Sequence, residues 1–323
     1  MAYYIGIDTG GTNIACGVVD DECKIIARSS IKTSPREKKD NTPPTYEEVL
    51  EQIKKAVRSA CDEAGIAVNS ISSIGVGCPG ICNSQSGVVE YSNNLNFVNV
   101  PLRSDMEKEF GIKVYLENDA NAAAFGEFVA GAAKGSNSAV VITLGTGVGS
   151  GIIMDGKIYR GSNFAGGEIG HTVIVMDGLQ CTCGRKGCFE AYSSAVGLVR
   201  MTTAASELNP DSLMTRLIRE KGKVSARTAY EAMKRGDPVG KAVTDQYIKY
   251  LSCGIANVIN TFQPDILCIG GGVCNEGDNL LVPLKAATAE QIYSKNSKKN
   301  TEIVICSLGN DAGIIGAAML FKG

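Results

Sequence analysis

Apolar and polar positions alternate through YYIGIDTGGTNIACGVVD near the start of the chain, with a break at Gly10-Gly11 and resumption at Ile14. Alternating β-branched residues around a glycine pair predict a hairpin with a glycine-rich turn. A second run of the same design, AVVITLGTGVGSGIIMDGKIY, begins at Ala139. Between them, Tyr46, Val49, Leu50, Ile53, Val57, Ala60 and Ala64 recur at helical spacing, with Thr45 as the expected cap and Gly65 as the stop. SIGVGCPG reads as a strand ending in a turn, and the polar, proline-bearing residues 33–45 as an exposed loop. The strand VYLEN hands directly to a helix over DANAAAFGEFVAGAAKG, which starts near Asp119. Downstream the pattern turns helical over 190–206, 225–235 and Val239–Phe262, where Pro264 stops it. The strands DILCIGGGV and EIVICSL follow, and the second leads through Gly309 into a closing helix, DAGIIGAAMLF.

Strands and helices mixed in this way, over 323 residues and 33.9 kDa, predict an α/β protein with two lobes and a cleft, since the chain exceeds the usual size of one core. A formal net charge of -2 offers no electrostatic footprint for nucleic acid. The first strand begins within three residues of Met1, no basic leader precedes it, and no apolar run approaches the roughly 20 residues that span a bilayer. A cytoplasmic protein without membrane or nucleic-acid partners is therefore expected. In that setting the 12 cysteines imply reduced thiols rather than a disulfide framework. Cys16, Cys23, Cys61, Cys253, Cys268 and Cys306 read as small core residues.

Three glycine turns end strands: DTGGTN, with Asp8, Gly10, Gly11, Thr12 and Asn13; LGTGVG, with Gly145, Thr146 and Gly147; and IGGGV, with Gly271 and Gly272. Glycine lets backbone N–H groups approach an anion closely, so the turns together suit a polyphosphate, although none is a Walker A loop or a dinucleotide fingerprint. Asp8 is a candidate for magnesium held through water, or else a turn-capping aspartate. Asn118 and Asp119 lie at a strand's carboxyl end, where open α/β sheets place ligands. Asp119 is either the base of a phosphoryl transfer or the cap of its helix.

His171 is the single histidine of the chain, and Cys181, Cys183 and Cys188 follow it in a C-x-C-x4-C array. Three cysteines and a histidine are a standard structural zinc set, closed to substrate; the alternative is a reduced thiol cluster. A metal on one imidazole nitrogen would aim the other N–H in a set direction, suited to a sugar hydroxyl. Glu168 and Glu190 flank the array as carboxylates for further hydroxyls, or as solvated surface residues.

In order, DTGGTN, GCPG, ENDANAAAFGE, LGTGVGSGI, GGEIGH and CTCGRKGCFE make the chain similar, essentially end to end, to the ROK family (repressor, open reading frame, kinase), and in particular to its bacterial glucokinases. The resemblance implies the actin-like ATPase (ribonuclease H-like) fold of two-lobed sugar kinases with a zinc loop. It implies ATP, Mg2+ and a structural Zn2+, and phosphorylation of glucose at the 6-hydroxyl. By matching positions, Asp119 is the general base, and Asn94, Asn118, Glu168, His171 and Glu190 join it as sugar ligands, with Asn93 as a neighbour of Asn94. His171, Cys181, Cys183 and Cys188 are then the zinc set. Lobes of 1–117 plus 302–323 and of 118–301 are expected, in a homodimer or dimer of dimers. The alternatives within the family are kinases of N-acetylmannosamine, N-acetylglucosamine or fructose, and, in another class, a sugar-responsive regulator. The family's DNA-binding repressors carry a winged helix ahead of the first strand; with the first strand expected at Tyr3, such a module is not expected here.

Overall fold

The computed structural model describes residues 2–34 and 43–323. The chain groups into two compact units, one of residues 1–140, 151–167 and 306–323, the other of residues 141–150 and 168–305.

The first unit opens with β1 (Tyr3–Thr9), β2 (Asn13–Asp20) and β3 (Ile25–Lys32), then α1 (Tyr46–Ala64) and β4 (Ile71–Cys78). A small antiparallel sheet of β5 (Ile81–Asn83), β6 (Val88–Ser92) and β7 (Phe97–Val100) follows, with α2 (Leu102–Phe110), β8 (Val114–Asn118) and α3 (Asp119–Val129). Helix α1 starts where the spacing placed it: Thr45 accepts the Glu48 N–H and Glu48 reaches back to the Thr45 N–H, a full capping box. Gly65 ends it in the left-handed conformation. Its apolar face, with Val49, Ile53, Ala56 and Val57, joins Ile5, Ile7, Ile74 and Val76 in one core.

The main sheet runs β3-β2-β1-β4-β8, antiparallel through the hairpin strands and parallel from β1 to β4 to β8. Asp8 pairs with Gly77, and Gly77 with Glu117, so the carboxyl ends of three parallel strands share one edge. The closing helix, Ala312–Ala318, packs on this sheet by backbone contact. A β carbon at Gly6 would lie 1.9 Å from the Ile314 carbonyl oxygen, and one at Gly75 1.8 Å from that of Ala317. Only glycine permits that approach.

The second sheet, β11-β10-β9-β12-β13, comprises β9 (Ala139–Leu144), β10 (Val148–Met154), β11 (Lys157–Ile158), β12 (Ile266–Gly270) and β13 (Glu302–Ile305). Its helices are α4 (Phe189–Ser193), α5 (Ala195–Leu208), α6 (Leu213–Lys221), α7 (Thr228–Lys234), α8 (Pro238–Phe262) and α9 (Asp278–Ala289); the closing helix of the first unit is α10. Two sheets that each contain parallel pairs, with helices, make this an α/β protein.

Several expectations need correction. Helix α3 stops at Val129, because the buried Glu127 carboxylate accepts the Ala132 N–H and pulls the chain into a turn. The helix expected over 190–206 is broken at Ser194, which caps α5 through the Gly197 N–H. Thr33, read as the start of an exposed loop, is fully buried; residues 35–42 of that loop lie outside the described residues. Cys16, Cys61 and Cys268 are core residues as expected, whereas Cys253 and Cys306 are half-buried and Cys23 sits at positive φ in the β2–β3 turn. Among the described residues, no helix is long and apolar enough to cross a membrane.

Candidate active site

In the first unit, the sheet edge gathers Asp8, the DTGGTN turn, Asn118 and Asp119. The turn is closed by the Gly10 N–H donating to the Asn13 carbonyl at 2.9 Å. Buried Thr33 braces it: its hydroxyl donates to the Gly10 carbonyl at 2.6 Å and its N–H to the Thr12 carbonyl at 3.0 Å. This brace was absent from the reading of the sequence, where a threonine in a proline-bearing stretch carries no distinguishing signal. A β carbon at Gly11 would stand 3.7 Å from Asn94 Cβ, so Asn94 lies beside the turn, while Asn93 Oδ1 accepts the Tyr91 hydroxyl at 3.4 Å.

The cap of α3 is assigned by the geometry. Asn118 is the cap: its side-chain oxygen accepts the Asn121 N–H at 3.1 Å, and its amide donates to the Gly80 carbonyl at 3.0 Å. Asp119 is the first residue of α3, and its Oδ1 accepts the Ala120 N–H at 2.9 Å. Burial raises the Asp119 carboxyl above the usual range, against the lowering effect of that bond. Asp8 is pushed up to about 6, chiefly by burial and then by the charge of Asp119. Gly313 of α10 admits it, because a β carbon there would lie 2.6 Å from Asp8 Oδ2.

In the second unit, the ligand atoms of His171, Cys181, Cys183 and Cys188 all lie within 4.8 Å of one another. The pair Cys183 Sγ and Cys188 Sγ is 3.7 Å apart, as is Cys181 Sγ from His171 Nδ1. Tetrahedral zinc with Zn–S of about 2.3 Å and Zn–N of about 2.0 Å requires separations of about 3.8 and 3.5 Å, so the donor set fits this ion. Burial pushes the Cys188 thiol up to about 12, while the Arg185 backbone N–H holds Cys183 below the ordinary thiol range. The array is folded by the Cys181 N–H donating to the Arg185 carbonyl at 2.8 Å and the Gly187 N–H to that of Leu179 at 2.8 Å. Because Nδ1 faces the sulfurs, Nε2 is the nitrogen that remains for another partner.

Glu190 is not a solvated surface residue. Its Oε2 accepts the Val148 N–H at 3.0 Å, and its Oε1 accepts from the Thr182 hydroxyl at 3.3 Å and faces Cys181 Sγ at 3.5 Å. Gly147 makes room for it, since a β carbon there would lie 2.3 Å from Oε2. Gly145 and Gly147 close the LGTGVG turn through a 3.0 Å bond, and the Gly145 carbonyl accepts the Ala195 N–H at the start of α5. Thr146 is exposed between them. Gly271, at φ +96, packs on Leu144, and Gly272 opens the 3-10 turn Gly272–Glu276. Glu168 is exposed, and its carbonyl accepts the His171 N–H at 3.1 Å.

The ROK family profile matches residues 4–323. The glucokinase of Streptomyces coelicolor is 34% identical over 100% of this chain and 98% of its own. A crystal structure of a ROK family glucokinase from Streptomyces griseus, in complex with glucose and AMPPNP, superposes with a TM-score of 0.81 at 32% identity, covering 100% of both chains. The xylose repressor of Bacillus subtilis is 26% identical over 98% of this chain and 76% of its own. A match of this extent means that the chain belongs to the ROK family.

Proposed function

We infer that the protein is an ATP-dependent sugar kinase that transfers the γ-phosphoryl group to the 6-hydroxyl of glucose, with Asp119 as general base. The observation that carries this reading is the division of labour at the start of α3: Asn118 takes the cap, and the adjacent Asp119 keeps a carboxylate whose proton affinity is raised by burial. A carboxylate with raised pKa is a better acceptor for a hydroxyl proton than one in water. The relatives of like length that are glucokinases support the same reaction and substrate.

In this reading Asn94, Asn118, Glu168, His171 and Glu190 hold the hexose. Asp8, Gly10, Gly11, Thr12, Asn13, Gly145, Thr146, Gly147, Gly271 and Gly272 serve ATP and Mg2+. Magnesium would neutralise charge on the β- and γ-phosphates, with Asp8 as its carboxylate. His171, Cys181, Cys183 and Cys188 would hold a structural zinc, which would fix the orientation of the imidazole, with Glu190 beside Cys181. The enzyme works in the cytoplasm as a homodimer.

The other members of the family set the competing readings: a kinase of N-acetylmannosamine, N-acetylglucosamine or fructose, or a sugar-responsive regulator without catalysis. A coupled ADP-release assay with glucose, mannose, fructose and the two N-acetyl sugars separates them. The expected result is the highest kcat/KM for glucose. An N-acetyl sugar or fructose in first place reassigns the substrate, and no turnover with any sugar overturns the enzyme reading.

A further inference from the structure

Glu117 is 2% exposed and lies one residue before Asn118 and two before Asp119. A carboxylate so buried requires partners for its charge. Its Oε1 accepts both the Asn118 backbone N–H and the Asn121 side-chain amide at 3.0 Å, and its Oε2 accepts Arg160 Nε at 2.6 Å. Asn121 in turn donates its own backbone N–H to the Asn118 side chain, and Asn118 donates to the Gly80 carbonyl. The hydrogen bonds thus enclose the corner where β8 becomes α3, and Asp119 is the first residue beyond it. Arg160 belongs to a loop closed by the Gly166 N–H donating to its carbonyl at 2.9 Å.

Stability alone gives little reason for this arrangement, because neutral groups of similar volume often replace a buried ion pair without loss. What a carboxylate adds is two acceptor atoms able to hold a backbone N–H, a side-chain amide and a guanidinium at once. We propose that Glu117 and Arg160 are positioning residues for Asp119, holding the β8–α3 corner in the register that aims the base. The inference rests on the reading of Asp119 as the base.

The test compares Arg160→Met, Arg160→Lys, Asp119→Asn and the neutral pair Glu117→Gln/Arg160→Met in steady-state kinetics with glucose and ATP, together with thermal unfolding. Misplacement of a reacting group by about 1 Å costs on the order of 100-fold. Arg160→Met is expected to lose about 10- to 100-fold in kcat with both KM values within about threefold, and Arg160→Lys to recover part of that loss. The neutral pair is expected to regain the wild-type Tm and not the kcat; it supplies the readout by itself if Arg160→Met does not fold. A neutral pair that recovers kcat along with Tm, or a folded Arg160→Met within about twofold of wild type, overturns the proposal. Asp119→Asn separates the two levels: if it keeps full kcat, the base assignment fails and the positioning role fails with it. If it is inactive while the neutral pair is fully active, the positioning role alone fails.

Discussion

Glu190 and Val148 are joined by a 3.0 Å hydrogen bond from the Val148 backbone N–H to Oε2, so a residue next to the cysteine array grips the glycine turn of the β9–β10 hairpin. The other carboxylate oxygen faces Cys181 and Thr182. One side chain therefore ties the cysteine loop to the turn, and Gly147 is the residue whose missing side chain allows it.

Gly147→Ala should displace Glu190, since the new methyl carbon would stand 2.3 Å from its Oε2. Loss of a hydrogen bond to a charged group costs about 1.5–3 kcal/mol, so glucose affinity is expected to fall about 10-fold or more. Isothermal titration with glucose checks this, and unchanged affinity would remove Glu190 from the sugar site.

Purified protein should carry one zinc per chain by elemental analysis. Cys183 is exposed, so Cys183→Ser removes one thiol of the Cys3His set without opening the core. The variant is expected to lose the zinc, to unfold at a temperature lower by about 5 °C or more, and to bind glucose weakly. Wild-type protein with well under one zinc and full sugar affinity would refute the role assigned to the metal.

Asp8 is pushed up to about 6 from its ordinary 3.8, so between those pH values the folded protein retains a proton that the unfolded chain has released. Stability therefore declines as pH rises through that window, and the deficit is complete above pH 6. In magnesium-free buffer, Asp8→Asn should be more stable than wild type by about 2 kcal/mol near pH 8, after allowance for solvent screening, and no more stable near pH 4. Urea unfolding at the two pH values reads the difference; a gain of equal size at both would contradict the cause given for the shift.

Gly75→Ala should destabilise the first unit more than any surface substitution. Its methyl carbon would fall 1.8 Å from the Ala317 carbonyl oxygen, which belongs to helix backbone and has no rotamer to escape into. Overpacking of this kind costs about 1–3 kcal/mol or more. Thermal unfolding should show a clearly lower Tm, and an unchanged Tm would mean that α10 can move off the sheet.

Much of this was legible in the sequence where a local rule operates. Thr45 and Gly65 bounded α1, Pro264 stopped α8, and β-branched runs broken by glycine located both hairpins. The Cys3His set was visible because its members fall within eighteen residues around a lone histidine. Features set by distant partners were not legible. Thr33 looks like loop until Gly10 is found beneath it, and Arg160 carries no sign of the Glu117 that it neutralises. The identity of the cap, Asn118 rather than Asp119, depended on backbone angles at a strand-to-helix corner, which residue preference cannot decide between two good capping residues.

The most direct test is a 31P NMR measurement of the product formed from ATP, Mg2+ and glucose by wild-type protein and by Asp119→Ala. The account predicts glucose 6-phosphate and ADP from the wild type, and a rate lower by at least about 100-fold in the variant, as expected for loss of a general base. No phosphorylated sugar from the wild type, or product formed by Asp119→Ala at the wild-type rate, would contradict it.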